Sequence, residues 1–154
     1  MTVGVPTLSD FQTFITSVMG ISTSVLPSNS PVITWSFDFA YDWVAQELSG
    51  LTAQPGSWTM YQRAVYNLAA DTLINWAQDT PPSTYFANLR KDFGCNSFVA
   101  GVIQSSSDEG TSESLLVPEA FARLTIANLG NLKTPYGRAY LGIAQSFGPV
   151  WGLS

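Results

Sequence analysis

The chain has 154 residues, 45% of them hydrophobic and only 11% charged, with a net charge of −5 at pH 7. Average soluble domains carry roughly 25% charged residues, so this composition predicts one well-packed domain with an unusually apolar surface. We therefore expect neighbouring subunits to cover part of it; the alternative is a monomer coated with Ser, Thr and Asn. The acidic balance argues against a protein that grips nucleic acid through its phosphates.

Residue counts also limit the chemistry. The chain has no histidine, which removes Ser-His-Asp and Cys-His catalysis and the common zinc sites. Cys95 is the single cysteine, so we interpret it as a neutral structural thiol in a protein made in a reducing compartment. The opening residues lack a secretory-signal pattern. The most apolar window, 32–48, contains three acids, so we expect no membrane span.

The first two predicted helices have clear starting signals. Thr7, followed three residues later by Asp10, predicts a helix that ends near Gly20. After a Ser-rich loop, Ser30 and then Pro31 predict the start of a second helix.

The second helix, 31–48, is apolar around most of its circumference. Its one polar stripe consists of Thr34, Asp38 and Asp42, at intervals of four residues. Two apolar sides complete it: Trp35, Phe39 and Trp43 on one, and Ile33, Phe37, Val44 and Leu48 on the other. Such a helix is central in a fold or lies at an interface.

A third helix is predicted from a cap at Ser57 to about Gln78. Its polar stripe is interpreted as Arg63, Asn67, Asp71 and Asn75. The residues expected to face a core are Trp58, Tyr61, Val65, Leu68, Leu73 and Trp76. A shorter helix over 84–93 follows and ends at Gly94.

The segment 97–117 has a different character, because two short apolar stretches flank the polar sequence QSSSDEGTSES. We expect a protruding β-hairpin or extended arm that reaches a neighbouring subunit, with a solvated loop as the alternative. Helical patterns resume over 118–124, over 125–132 as a short helix or turn, and over 134–147. The apolar tail 148–154 either folds back onto the core or anchors in a partner.

Few residues are arranged for catalysis or ligand binding. Asp38 and Asp42 share one helix face, and paired carboxylates serve glycoside hydrolases, but solvated stripes commonly look the same. The acids of the 104–116 loop lack the alternating pattern of a calcium-binding EF-hand. No phosphate-binding glycine motif follows a predicted strand. We therefore expect no enzyme activity, no cofactor and no metal.

Four segments together resemble small virion proteins of tailed bacteriophages. They are LINWAQDTPPSTYFANLR at 73–90, SSSDEGTS at 105–112, LKTPYGR at 132–138 and FGPVWGL at 147–153. The resemblance covers most of the chain from Thr7 onward and is greatest to head–tail connector, or adaptor, proteins. None of these segments carries a reaction.

The resemblance implies a mostly α-helical subunit that forms a homo-oligomeric ring of about twelve copies at the head–tail junction of the virion. Such a ring contacts the portal protein on one side and a tail or nozzle protein on the other. Genome DNA passes through it without specific binding, which the acidic composition suits. Extended arms and terminal tails in such proteins reach the portal and neighbouring subunits.

The combined expectation is a single domain, 1–154, folded as a helical bundle with an arm over about 97–117 and a C-terminal tail over 148–154. The residues expected to bind partners are Gln104, Asp108, Glu109, Glu113, Leu115, Leu116, Val150, Trp151 and Leu153. Either Thr34, Asp38 and Asp42 or the residues from Arg63 to Asn75 are expected to face the ring lumen or solvent. The alternatives are a tail-completion or capsid-stabilising virion protein, a lytic hydrolase using Asp38 and Asp42, and a monomeric helical binding module.

Overall fold

The protein is mostly helical throughout the residues that the computed structural model describes, namely 5–47, 59–96, 105–108, 111–114 and 133–146. This confirms the predicted helical class. The helices in these ranges are α1 (Leu8–Ser17), α2 (Pro31–Glu47), α3 (Met60–Trp76), α4 (Tyr85–Asp92) and α5 (Pro135–Ser146). None of them is both long and apolar enough to cross a membrane.

Local capping residues set most helix starts. At α1 the Asp10 amide donates to the Thr7 side-chain oxygen over 3.1 Å, as the sequence predicts. The predicted start of the third helix at Ser57 is wrong, because α3 begins at Met60. There Thr59 and Gln62 cap each other reciprocally, with the Gln62 amide 3.2 Å from the Thr59 hydroxyl oxygen.

Two glycines end helices in the left-handed conformation that other residues avoid. Gly94, after α4, has φ +67°, its amide donates to the Lys91 carbonyl and the Cys95 amide donates to the Arg90 carbonyl. Gly20, after α1, has φ +68°. Both stops agree with the sequence prediction.

α3 is the centre of the fold, and it packs against α2 and α5, which do not pack extensively against each other. Most of its length is inaccessible to solvent. α1 lies across α2 and α3, where the rings of Phe11, Phe37 and Tyr66 meet at centroid distances of 5.9 to 6.4 Å. Each such buried ring contributes about 1.5–3 kcal/mol relative to exposure. The core therefore surrounds α3, with contributions from α1, α2 and α5.

Two four-residue strands, β1 (Ser105–Asp108) and β2 (Thr111–Ser114), pair antiparallel, with Ser105 opposite Ser114. This short pairing does not establish the protruding arm predicted over 97–117, because the rest of that segment lies outside the described residues. The helices predicted over 118–124 and 125–132 and the tail 148–154 also lie outside them.

Candidate functional site

Four large aromatic side chains form an exposed surface on α2 and α3, which we name the aromatic face. Trp35 is 71% exposed, Phe39 41% and Trp43 39%, and they follow one another along α2 at intervals of four residues. Trp76, the last residue of α3, is 44% exposed and completes the face. These fractions are large for residue types that are normally covered.

Three of the four rings of the aromatic face contact one another, and the fourth, Trp35, lines an open groove together with Trp76. The Phe39 ring centroid lies 5.8 Å from that of Trp43, in a stacked arrangement, and 5.5 Å from that of Trp76. The combined exposure equals about two whole aromatic side chains, on the order of 400 Å². The largest apolar patch on a soluble monomer is typically a few hundred Å² and is often functional, which makes the aromatic face a candidate functional surface.

Helical geometry explains why the aromatic face points outward. Ile33, Phe37 and Val44 are buried and define the core side of α2. Trp35 and Phe39 each follow a core residue by two positions, which is about 200° around the helix. When α3 covers the core side, Trp35 therefore faces away from α3, whereas the Phe39 ring lies at the border and contacts Trp76 at the end of α3.

The prediction that Trp76 faces the core is wrong, because its side chain is exposed. It lies at the very end of α3, where its ring meets Phe39 on the outer side of α2. With Pro31, Val32 and Trp35 it lines an open groove of about 350 Å³ at the start of α2. Small-molecule sites usually combine apolar walls with a few polar groups that orient the ligand. This groove has only apolar lining residues, so it suits an apolar side chain of a partner.

The predicted acidic stripe lies beside the aromatic face. Thr34, Asp38 and Asp42 are all exposed, in agreement with a stripe that faces solvent or a lumen. A carboxylic acid that acts as a general acid in hydrolysis usually sits in an enclosed apolar environment. Asp38 and Asp42 have no such enclosure, so their surroundings favour a charged border over a catalytic pair.

The stripe predicted on the third helix is interrupted by a buried acid. Arg63 and Asn75 are exposed and Asn67 is half-buried, but Asp71 is only 3% exposed. Its carboxylate accepts a hydrogen bond from the Thr134 hydroxyl, and the hydroxyl oxygen accepts the Gly137 amide over 2.9 Å. The prediction that residues 63–75 present one solvent or lumen stripe is therefore wrong at Asp71, because α5 covers it.

Burial raises the pKa of the Asp71 carboxyl to about 6, and the Thr134 hydrogen bond opposes part of that rise. The Asn75 side-chain amide lies 3.4 Å from the other carboxylate oxygen. Thr134 contacts this carboxylate from the start of α5, and Asn75 contacts it from the next turn of α3. The pair Asp71–Thr134 therefore joins α3 to α5.

The surroundings of Cys95 favour a structural thiol. Partial burial and the negative charge of Asp71 raise its pKa, while Lys133 and Arg90 oppose the rise. The Lys133 ammonium donates to the Cys95 carbonyl over 3.3 Å, so it binds the backbone beside the thiol. A raised pKa keeps the thiol protonated and weakly nucleophilic at neutral pH. Among the described residues, no group of acids and cysteine could hold a metal ion.

The residues predicted to bind partners mostly stay predictions. Asp108 and Glu113 belong to β1 and β2, where Asp108 pairs with Thr111 and Glu113 with Ser106. The others lie outside the described residues: Gln104, Glu109, Leu115, Leu116, Val150, Trp151 and Leu153. The residues of the exposed aromatic face were not among the predicted partner-binding residues.

Comparison with known proteins leaves function to be inferred from the chain's own residues. The sequence matches no protein-family model, and neither a curated protein nor a solved structure matches it.

Proposed function

We propose that the protein is a non-enzymatic structural subunit of a tailed-bacteriophage virion, a head–tail adaptor whose ring joins the portal to the tail. The observation that carries this proposal is the exposed aromatic face. Covering about 400 Å² of apolar surface supplies on the order of 10 kcal/mol before the costs of association are subtracted. A protein that acts by assembly gains from such a surface, whereas a monomer gains nothing from it.

The distribution of charge supports the same role. The net charge of −5 and the exposed acids Asp38 and Asp42 oppose adhesion to a DNA backbone. A ring of such subunits would let the genome pass without binding it. The proposed ring contains about twelve subunits and contacts a tail or nozzle protein on its far side.

The longest segment that resembles phage proteins, 73–90, forms a hydrogen-bonded corner between α3 and α4. The Asp79 carboxylate accepts the amides of Phe86 and Ala87 over 2.9 and 2.8 Å. The Arg90 guanidinium donates back to the carbonyls of Ile74 and Ala77 over 3.0 and 2.6 Å. These hydrogen bonds give the segment a structural role in joining α3 to α4. A structural role suits the proposed virion subunit, which carries out no reaction.

The predicted arm and tail have a place in this proposal. Residues 104–116 and 150–153 are proposed to reach a neighbouring subunit or the portal. The other virion roles, tail completion and capsid stabilisation, also use contact surfaces and differ in the partner. The hydrolase alternative is weaker, because the side chains of Asp38 and Asp42 are exposed to solvent on α2 and are not enclosed.

Binding to the cognate portal tests the proposal. The purified protein is mixed with portal rings at low and moderate salt and imaged by electron microscopy, and the bound subunits are counted. A closed ring at the tail-facing end of the portal is the expected result. No association at either salt concentration would contradict the adaptor role and favour a tail or capsid position. A wild-type protein that hydrolyses cell wall, with loss of activity in an Asp38→Asn, Asp42→Asn variant, would favour the enzyme.

A further inference from the structure

We infer that the aromatic face of one subunit docks onto the outward side of α5 of a second copy, in a head-to-tail contact. This inference rests on the proposed assembly into a ring and specifies which two surfaces meet. The outward side of α5 is defined by its exposed residues, which are Pro135, Arg138, Ala139, Gly142, Gln145 and Ser146.

The two surfaces are placed on different sides of the subunit. α2 and α5 both pack on α3 but not extensively on each other. The aromatic face lies along α2 and the end of α3, whereas the exposed residues of α5 lie opposite its buried residues Tyr140 and Ala144. One subunit therefore presents the first surface and, elsewhere, the second. A contact between unlike surfaces repeats from copy to copy, and it closes into a ring when the rotation allows.

Charge favours α5 over a second aromatic face as the occupant. Over 31–46, α2 has Asp38 and Asp42 as its charged residues and no base. α5 has Arg138 and no acid. Two aromatic faces packed on each other would bring the acidic stripes of both copies close together. Packing on α5 instead places Arg138 near those acids and near the tryptophan rings, where a guanidinium is attracted to the ring face.

The small side chains on the outward side of α5 leave room for bulky aromatic side chains of a partner. Ala139 and Gly142 are exposed and small, and a Cβ placed on Gly142 would meet no atom within 4 Å. A partner's indole ring can therefore approach the α5 backbone closely. The Arg138 guanidinium donates to the Lys133 carbonyl over 3.1 Å, which holds it at the start of this surface.

Size indicates that the aromatic face is the centre of a larger interface. A standard protein interface buries about 800 Å² on each partner, and the four aromatic side chains expose roughly half of that area. Exposed polar neighbours on α2, including Gln46, supply a rim around the apolar centre.

Paired cysteines test this contact. In a Cys95→Ser background, Gln46→Cys places a thiol within the aromatic side of α2, and Ala139→Cys places one on the outward side of α5. Disulfides form only when the two Cα atoms come within about 7 Å. With an added oxidant and a concentration series, the double variant is expected to give a ladder of covalent dimers, trimers and higher oligomers. Each single variant is expected to remain almost entirely monomeric on a non-reducing gel.

Charge exchange provides a second test that adds no thiol. Asp42→Arg alone and Arg138→Asp alone are each expected to weaken self-association by about tenfold, measured by sedimentation equilibrium. The combined variant is expected to recover most of the loss. Both positions are exposed, so circular dichroism should show unchanged helix content.

Two results would overturn the inference: efficient dimerisation of Gln46→Cys alone, or no ladder from the double variant together with no recovery by charge exchange. Portal binding separates this inference from the proposed function. Rings on the portal without an α2–α5 cross-link would keep the adaptor role and remove this contact. A ladder without portal binding would keep the contact and remove the adaptor role.

Discussion

The Thr134 hydroxyl donates a hydrogen bond to the buried carboxylate of Asp71, a residue 63 positions earlier in the chain. The same oxygen accepts the Gly137 amide and so caps α5. One side-chain oxygen therefore fixes where α5 begins and attaches that point to the middle of α3. The surface of α5 that we assign to the next subunit depends on this attachment.

Replacing Thr134 with valine should destabilise the protein by about 2–4 kcal/mol. The variant keeps the side-chain shape but loses the helix cap and leaves a buried carboxylate without its donor. Urea unfolding followed by circular dichroism measures the change. Thr134→Ser is the matched control, because it retains the hydroxyl and should lose much less. Equal losses in the two variants would show that the hydroxyl is not the source of the stability.

The free energy of unfolding should depend on pH through Asp71. Burial raises the pKa of this carboxyl from 3.8 to about 6, so the folded state binds its proton more tightly than the unfolded state does. This contribution to stability is complete below about pH 4 and is lost as pH rises through about 6. Its full size is roughly 3 kcal/mol.

The difference in the free energy of unfolding between wild type and Asp71→Asn separates this effect from the titration of other carboxyl groups. Asparagine does not titrate, so the stability of the variant relative to wild type should increase between about pH 4 and 7. Asp42→Asn, at an exposed position, is the control and should show little change in that difference. A flat difference curve for Asp71→Asn would contradict the assigned burial.

Tyr66 should hold the start of α1 in place. Its hydroxyl oxygen accepts a hydrogen bond from the Thr7 amide over 3.0 Å. Its ring, on α3, is buried in the core of the protein. Tyr66→Phe leaves that amide without this partner and should cost about 1–2 kcal/mol. Hydrogen exchange should also accelerate over 8–17. Tyr41→Phe, at a half-buried position on α2, is the comparison, and matching effects in both variants would refute a specific role for Tyr66.

Local signals made several elements predictable from sequence. The Thr7 cap and the pair Thr134–Pro135 mark the starts of α1 and α5, because a cap uses residues within one turn. Gly94 marks the end of α4 for the same reason, since the left-handed conformation is required at a single residue. The predicted start of the third helix at Ser57 was wrong because the N-cap is Thr59, two residues further along the chain. Thr59 forms the reciprocal cap with Gln62.

Burial was less predictable, because it depends on distant parts of the chain. Periodicity separated the sides of α2 correctly, but it could not say that α3 covers the side of Phe37 and leaves Trp35 exposed. Asp71 fitted a polar stripe, yet α5, which follows more than sixty residues later, covers it. Periodicity shows which side of a helix a residue occupies, while tertiary packing decides whether that side meets solvent.

Trp35 should contribute to association and not to folding. Because its side chain is 71% exposed, Trp35→Ser should change the free energy of unfolding by no more than about 0.5 kcal/mol. A tryptophan at the centre of an interface commonly contributes 2 kcal/mol or more, so association should weaken about 30-fold. Met60→Ser, at an exposed position outside the aromatic face, is the matched control. Sedimentation equilibrium measures both, and an equal effect of the two substitutions would contradict a specific contact.

Electron cryomicroscopy of the protein assembled on its cognate portal would show directly whether this subunit works by contact through its aromatic face. We predict a closed ring in which Trp35 and Trp43 of every subunit are buried against the neighbouring copy. A ring in which these side chains remain in solvent, or a portal that binds no subunit at all, would contradict that prediction.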